Sequence, residues 1–153
     1  MPSEINQQNL PVAIACDHGG IDLKAALTQV LQELGCQVLD LGTNSTDSVD
    51  YPDFGYAVGR AIRDGQAGRG VLICGTGIGI SIAANRFVEV RAALVHDAFD
   101  ARMARQHNDA NVIAFGHRTT GEDTARDCLR IFMETAAEGG RHVGRVAKLS
   151  DPK

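Results

Sequence analysis

Residues 70–80 read Gly70-Val71-Leu72-Ile73-Cys74-Gly75-Thr76-Gly77-Ile78-Gly79-Ile80. The first five form a short apolar run without polar alternation, the pattern of a strand covered on both faces. The glycines that follow permit a tight turn. Beyond them, the stretch from about Ile80 to Phe87 reads as a helix. A buried strand that passes through glycines into a helix is one half of a parallel strand–helix–strand unit.

The same grammar extends in both directions. Upstream, Val12 to Cys16 is a second buried-strand candidate, and Leu23, Leu27, Val30, Leu31 and Leu34 line one face of a helix that stops at Gly35. Gln37 to Leu41 reads as a strand, and Phe54, Ala57, Val58, Ala61 and Ile62 mark a helix that starts near Pro52. Downstream come a strand over Val90 to Val95, a helix over about Asp97 to Gln106, and a strand over Asn111 to Phe115. A last helix carries Ala125, Cys128, Leu129, Phe132, Met133 and Ala136 on one face. The fold expected is α/β: a three-layer αβα sandwich around a five-stranded parallel Rossmann-like sheet, with right-handed crossovers. Residues 1–153 read as a single domain, with a polar N-terminal extension over 1–11 and a polar C-terminal tail over 139–153.

Composition narrows the function classes. The chain has 153 residues, 44% hydrophobic and 22% charged, with a net charge of -4. That balance is ordinary for a globular domain and lacks the basic excess of a nucleic-acid binder, so no nucleic-acid partner is expected. No apolar run approaches the roughly 20 residues that span a bilayer, so no membrane partner is expected either. The polar start, Met1 to Pro11, has no apolar signal core. Cys16, Cys36, Cys74 and Cys128 form no C-x-x-C pair, which favours a reducing cytoplasm over a disulfide framework or a zinc site. No pair of histidines has the helical metal-site spacing, so no metal is expected.

In parallel sheets ligands bind beyond the carboxyl ends of the strands. Those ends carry Asp17-His18-Gly19-Gly20, Asp50-Tyr51, Gly75-Thr76-Gly77-Ile78-Gly79, His96-Asp97 and Gly116-His117-Arg118. The glycine loop is a candidate anion cradle, yet it fits no familiar nucleotide motif. Ile80 stands where the dinucleotide fingerprint needs glycine and where a phosphatase loop needs arginine, and no P-loop lysine is near. A simple tight turn remains the alternative. Cys74 closes the strand at the start of a helix, a position that favours a thiolate, whereas Cys16 stands beside the negative Asp17. Each could equally be a small buried hydrophobe. His107 closes the fourth helix and could serve there only as a cap. Arg141 and Arg145 lie four apart and, if helical, form a fork for a phosphate; a solvated tail is the alternative. Arg118 is a third possible phosphate ligand, and Tyr51 sits on a ligand-facing loop.

Five segments occur in order: Ala15-Cys16-Asp17-His18-Gly19-Gly20, Asp50-Tyr51-Pro52, Ile73-Cys74-Gly75-Thr76-Gly77-Ile78-Gly79-Ile80-Ser81, Arg105-Gln106-His107-Asn108-Asp109-Ala110-Asn111 and Glu138-Gly139-Gly140-Arg141-His142. Together, from about Val12 to Arg145, they resemble the type B ribose-5-phosphate isomerases, a family that includes the galactose-6-phosphate isomerase subunits. The resemblance implies cofactor-independent aldose–ketose isomerisation of a sugar phosphate, most simply D-ribose 5-phosphate to D-ribulose 5-phosphate. It implies Cys74 as the base of an enediolate mechanism and His107 as the acid that helps open the ring. Some members replace the cysteine and use a nearby glutamate; Cys74 puts this chain in the cysteine branch. Asp17 and His18 are implied to orient the sugar and assist opening. Gly75, Gly77, Ile78 and Gly79 are implied to hold the developing oxyanion through backbone N–H groups, with Thr76 adding a hydroxyl contact near Cys74 or only satisfying its own loop. Asn108, Arg118, Arg141 and Arg145 are implied contacts to sugar and phosphate. The family shares site residues between subunits, which implies a homodimer or a dimer of dimers.

Other readings remain open on these residues. The substrate could be a four- or six-carbon sugar phosphate, since chain length depends on pocket depth. A non-catalytic phosphosugar-binding module would need neither Cys74 nor His107. A subunit dependent on a different partner chain is a third reading, although both candidate groups stand in this one chain.

Overall fold

The computed structural model describes residues 9–153; residues 1–8 of the polar extension lie outside the described residues. Elements follow as β1 (Val12–Cys16), α1 (Ile21–Glu33), β2 (Val38–Asp40), α2 (Tyr51–Arg63), β3 (Arg69–Cys74), α3 (Ile78–Ala84), β4 (Ala92–Leu94), α4 (Ala98–Asn108), β5 (Val112–Gly116), α5 (Glu122–Glu134) and α6 (His142–Leu149). The strands form one sheet in the order β2-β1-β3-β5-β4, with every pairing parallel. The expected three-layer α/β sandwich is thus the observed one. The chain leaves β1 toward β2 on one side and β3 toward β4 on the other. The reversal of winding therefore falls between β1 and β3, where such sheets open a crevice at their carboxyl ends.

Strand parity explains both the apolar runs and the layering. Val12, Ile14, Cys16, Val71, Ile73, Ile113 and Phe115 point to one face, where Leu27, Leu31, Ala101, Ala104, Leu129 and Phe132 of α1, α4 and α5 cover them. Ala13, Ala15, Leu72, Cys74, Val112 and Ala114 point to the other, under Val58, Ala61, Ile80 and Ala84 of α2 and α3. With both faces covered, neither parity can be polar. The edge strands β2 and β4 keep only three residues each because their side chains are just half buried. Their pairing nevertheless continues past the strand ends, through Leu41 N–H to Ile14 O at 2.9 Å and Val95 N–H to Ala114 O at 3.1 Å.

Two devices fix the loops. Lys24 of α1 is buried, and its ammonium donates to Asp40 Oδ1 at 2.8 Å, Thr43 O at 2.7 Å and Asn44 Oδ1 at 2.7 Å. This ties the segment after β2 to α1. The second device is Gly77, with φ at 76°, where a Cβ would stand 2.8 Å from the Phe115 carbonyl carbon and 2.5 Å from Leu94 Cδ1. Only glycine fits that turn, and it starts α3 at Ile78, two residues earlier than the apolar pattern suggests.

The stretch read as a polar tail contains the helix α6, which packs against the end of α4 rather than on the sheet. Among the described residues no helix is long and apolar enough to cross a membrane.

Burial pushes the thiols of Cys16 and Cys128 up to about 11 from 9.0, aided at Cys128 by the charges of Asp97, Asp127 and Asp100. Raised folded-state values mean stability that is complete below pH 9 and lost as pH climbs toward 11. The melting temperature is expected to fall over that window, and by less in Cys128→Ala; an equal fall in the variant would refute the assignment. At the turn, Gly77→Ala should lower stability by at least about 2 kcal/mol, combining left-handed strain with collision against β5 backbone. Urea unfolding of the two proteins measures this directly.

Candidate active site

Four loops meet at the carboxyl ends of β1, β3 and β5. Cys74 is the last residue of β3, and its parity turns it toward α3 rather than toward α1 and α5. Its Sγ accepts the Gly77 N–H at 3.2 Å. It keeps 4% of its surface, whereas Cys16 and Cys128 keep none. The first turn of α3 leaves further N–H groups without intrahelical partners, although one of them, on Ile78, donates to Thr76 Oγ1 at 3.3 Å. The Thr76 hydroxyl therefore serves its own loop in this structure.

The turn after β5 is laced onto the glycine loop. His117 N–H donates to Cys74 O at 3.0 Å and Arg118 N–H to Gly75 O at 3.1 Å. A Cβ on Gly75 would lie 3.5 Å from Arg118 Cδ, so the arginine stem runs over the loop. Tyr51, the first residue of α2, lays its ring on Gly79; a Cβ there would come within 2.4 Å of the ring. Gly79 is needed for that approach, not for its φ.

The loop after β1 completes this end. Asp17 N–H donates to Ile73 O at 3.0 Å, and Asp17 Oδ1 accepts Gly19 N–H at 3.0 Å. Asp17 Oδ1 also lies 3.6 Å from His117 Nε2, whose ring rests on Gly19. His18 Nδ1 accepts Val49 N–H at 3.2 Å, which leaves Nε2 to carry the ring proton. Asp17, His18, Tyr51, Cys74 to Gly79 and Arg118 thus share one mouth. His117 joins them. Its place after a strand end was readable from sequence, but its pairing with Asp17 spans 100 residues and left no local signal.

His107, Asn108, Arg141 and Arg145 are elsewhere. Helix α4 carries the chain from the carboxyl end of β4 back to the amino end of β5, where Ala110 N–H bonds Ala104 O at 2.9 Å and Asn111 N–H bonds Arg91 O at 3.1 Å. At about 1.5 Å per residue, α4 spans about 16 Å, and His107 and Asn108 emerge at its far end. There His107 Nε2 lies 3.7 Å from Glu138 Oε2, and its ring stacks on His142 at 4.4 Å with planes 13° apart. Burial holds His142 below the usual histidine range, reinforced by His107, Arg141 and Arg145 and opposed by Glu138. Arg141 caps α6 with helical backbone and Arg145 follows one turn later, so the helical condition for a fork is met. A groove of about 1120 Å³ opens at this same end, lined by Val12, Arg69, Arg91, Arg105 and Asn111, and touches none of the residues around Cys74. One copy of the chain therefore holds the candidate site residues in two groups at opposite ends of its sheet.

Comparison with known proteins places this arrangement. The family described as Ribose/Galactose Isomerase matches residues 12–149. Ribose-5-phosphate isomerase B of Escherichia coli is 42% identical over 139 residues, covering 91% of this chain and 93% of that protein. D-erythrulose-4-phosphate isomerase of Pectobacterium atrosepticum is 40% identical over 141 residues, covering 92% and 93%. Among solved structures, the type B ribose 5-phosphate isomerase of Trypanosoma brucei superposes with a TM-score of 0.91 at 40% identity, covering 95% of this chain and 99% of that one. Ribose-5-phosphate isomerase B of Clostridium thermocellum gives 0.89 at 45% identity, covering 92% and 95%. The resemblance carried by the five motifs and the match along the whole fold agree, and the chain belongs to the ribose/galactose isomerase family.

Proposed function

We propose that this aldose–ketose isomerase interconverts D-ribose 5-phosphate and D-ribulose 5-phosphate, without a cofactor, in a homo-oligomer whose sites are each completed by two copies of the chain. The observation that carries the reading is the Cys74 sulfur at the switch between β1 and β3, with an amide hydrogen already on it at 3.2 Å. Its thiolate takes the proton from C2 of the open aldose. Electrons move into the C1 carbonyl, giving an enediolate that the glycine-loop N–H groups hold. The same sulfur returns the proton to C1, while a hydroxyl proton passes from O2 to O1. A base of this kind supplies about 10²–10⁴-fold, and each well-placed amide donor about 10²–10³-fold, so the loop rivals the sulfur in importance.

Before that step the sugar ring must open. His107 gives a proton to the ring oxygen as the C1–ring oxygen bond breaks and the C1 hydroxyl loses its proton to water, with Asp17 and His18 orienting the sugar. Arg118, Arg141 and Arg145, with Asn108, hold the phosphate and hydroxyls. Their binding energy, remote from C1 and C2, positions the reacting carbons. Because His107, Asn108 and α6 lie a full helix length from Cys74, these roles need a second copy related to the first by a two-fold axis, so that the Cys74 end of each meets the His107 end of the other. Exposed Tyr51, Ile78 and Ile82, beside the Cys74 mouth, give that copy an apolar face to cover.

A second reading is supported by the relative that is named a D-erythrulose-4-phosphate isomerase: the same chemistry on a four-carbon sugar phosphate. A panel of four-, five- and six-carbon aldose phosphates, each deuterated at C2, separates the two. The pentose phosphate should show the highest kcat/KM, with label lost to water or moved to C1. Cys74→Ala should cut turnover by about 10²–10⁴-fold with an unchanged circular dichroism spectrum. Retained turnover in that variant would overturn the role of the base. Mixing Cys74→Ala with His107→Ala under subunit exchange should restore about a quarter of wild-type activity, because random pairing yields half heterodimers with one intact site in two. No recovery in the mixture would show that both groups act within one chain.

A further inference from the structure

We propose that His107, Glu138 and His142 form a zinc-binding site, and that Zn²⁺ bound there reversibly silences the isomerase. Three elements supply the donors: the end of α4, the link after α5, and the first residue of α6. One ligand atom from each of the three lies within 4.8 Å of the others. In a tetrahedral zinc site with bonds of about 2.0–2.1 Å, neighbouring donors stand about 3.3 Å apart. His107 Nε2 and Glu138 Oε2, at 3.7 Å, are already close to that spacing. The remaining contraction falls on side chains that can move, since His107 and Glu138 are both partly exposed.

A second and independent observation points to a ligand. His142 is only 6% exposed, and its Nε2 has no hydrogen-bond partner among the described residues. A buried polar nitrogen without a partner is rare in folded proteins. The His107 and His142 rings stack with planes 13° apart, so their lone pairs converge on one ion once the partly exposed His107 ring turns out of the stack, and the ion then supplies that partner. The backbone keeps the donors in place: Glu138 N–H donates to Gln106 O at 3.0 Å and His142 N–H to Gly139 O at 3.1 Å. Two imidazoles and one carboxylate form the donor set of an open zinc site, with the fourth position left to water or a substrate oxygen. Magnesium and calcium, which prefer oxygen ligands, are disfavoured by it. Arg141 and Arg145 flank the site and oppose a cation, so binding should be micromolar rather than that of a closed structural site.

Silencing follows from competition for one lone pair. A zinc ion on the His107 ring occupies the nitrogen that would carry the proton to the ring oxygen. This half of the proposal rests on the proton-donor reading of His107; the binding half does not.

The test is calorimetric titration of ZnCl₂ into the chelator-treated full chain, with Co²⁺ absorption as a second readout of coordination. One Zn²⁺ per chain is expected, along with tetrahedral Co²⁺ bands. In Glu138→Gln and in His142→Ala the affinity should weaken by at least about tenfold, the scale on which even outer-shell changes act. Cys74→Ala should bind as the parent does. Unchanged affinity in Glu138→Gln, loss in Cys74→Ala, or no heat with ZnCl₂ would each overturn the site. With binding established, zinc should slow isomerisation at the same midpoint as it binds. Stoichiometric binding without slowing would leave the zinc site standing but refute silencing, and would remove His107 from its proposed catalytic role.

Discussion

The left-handed turn at Gly77 is the constraint on which the Cys74 site depends. Its backbone points one N–H at the sulfur of Cys74, and its missing Cβ lets the loop press against the backbone of β5 at Phe115. That contact brings the end of β3 and the turn after β5 together, so that the Cys74 and Gly75 carbonyls meet the N–H groups of His117 and Arg118. A bulkier residue would separate these elements and withdraw the amide from the sulfur at the same time. Local geometry and site chemistry are therefore one requirement.

Around that turn the polar groups are supplied by loops and held by a rigid frame. The buried ammonium of Lys24 gathers Asp40, Thr43 and Asn44. Further along the same segment, Val49 meets His18. The far end is organised differently, by ring stacking and by arginines. Arg105 donates to Thr135 O at 3.1 Å and Ala110 O at 2.6 Å, and Arg69 donates to Phe132 O at 3.1 Å. Their guanidinium groups lie 5.6–5.7 Å from the Phe132 ring. These bonds close the end of α5, which has no glycine cap, and set the link that carries Glu138.

Much of the architecture was legible in the sequence because parallel strands covered on both faces are written as unbroken apolar runs. The interior strands β1, β3 and β5 fall within a residue of their expected limits. The edge strands are shorter, since Val38–Asp40 and Ala92–Leu94 are only partly covered and their flanks resemble loop. Helix α6 was hidden in a polar stretch because a single side chain, His142, is its buried anchor. The preference for Cys74 over Cys16 was readable from the neighbouring Asp17. Strand parity adds a reason that composition lacks: the two sulfurs face opposite layers. Contacts between residues distant in the chain, such as Asp17 with His117 or His107 with His142, left no local trace because they exist only after the sheet has assembled.

The alternation of side chains along β3 has an implication for how this domain tolerates length change. Deleting or inserting a single residue between Arg69 and Cys74 would rotate the thiol beneath α5, among Leu129 and Phe132, and offer Ile73 or its neighbour to the glycine turn instead. The strand is thus a reading frame in which lengths are permitted only in steps of two, while the exposed residues 64–66 after α2 alternate toward no layer.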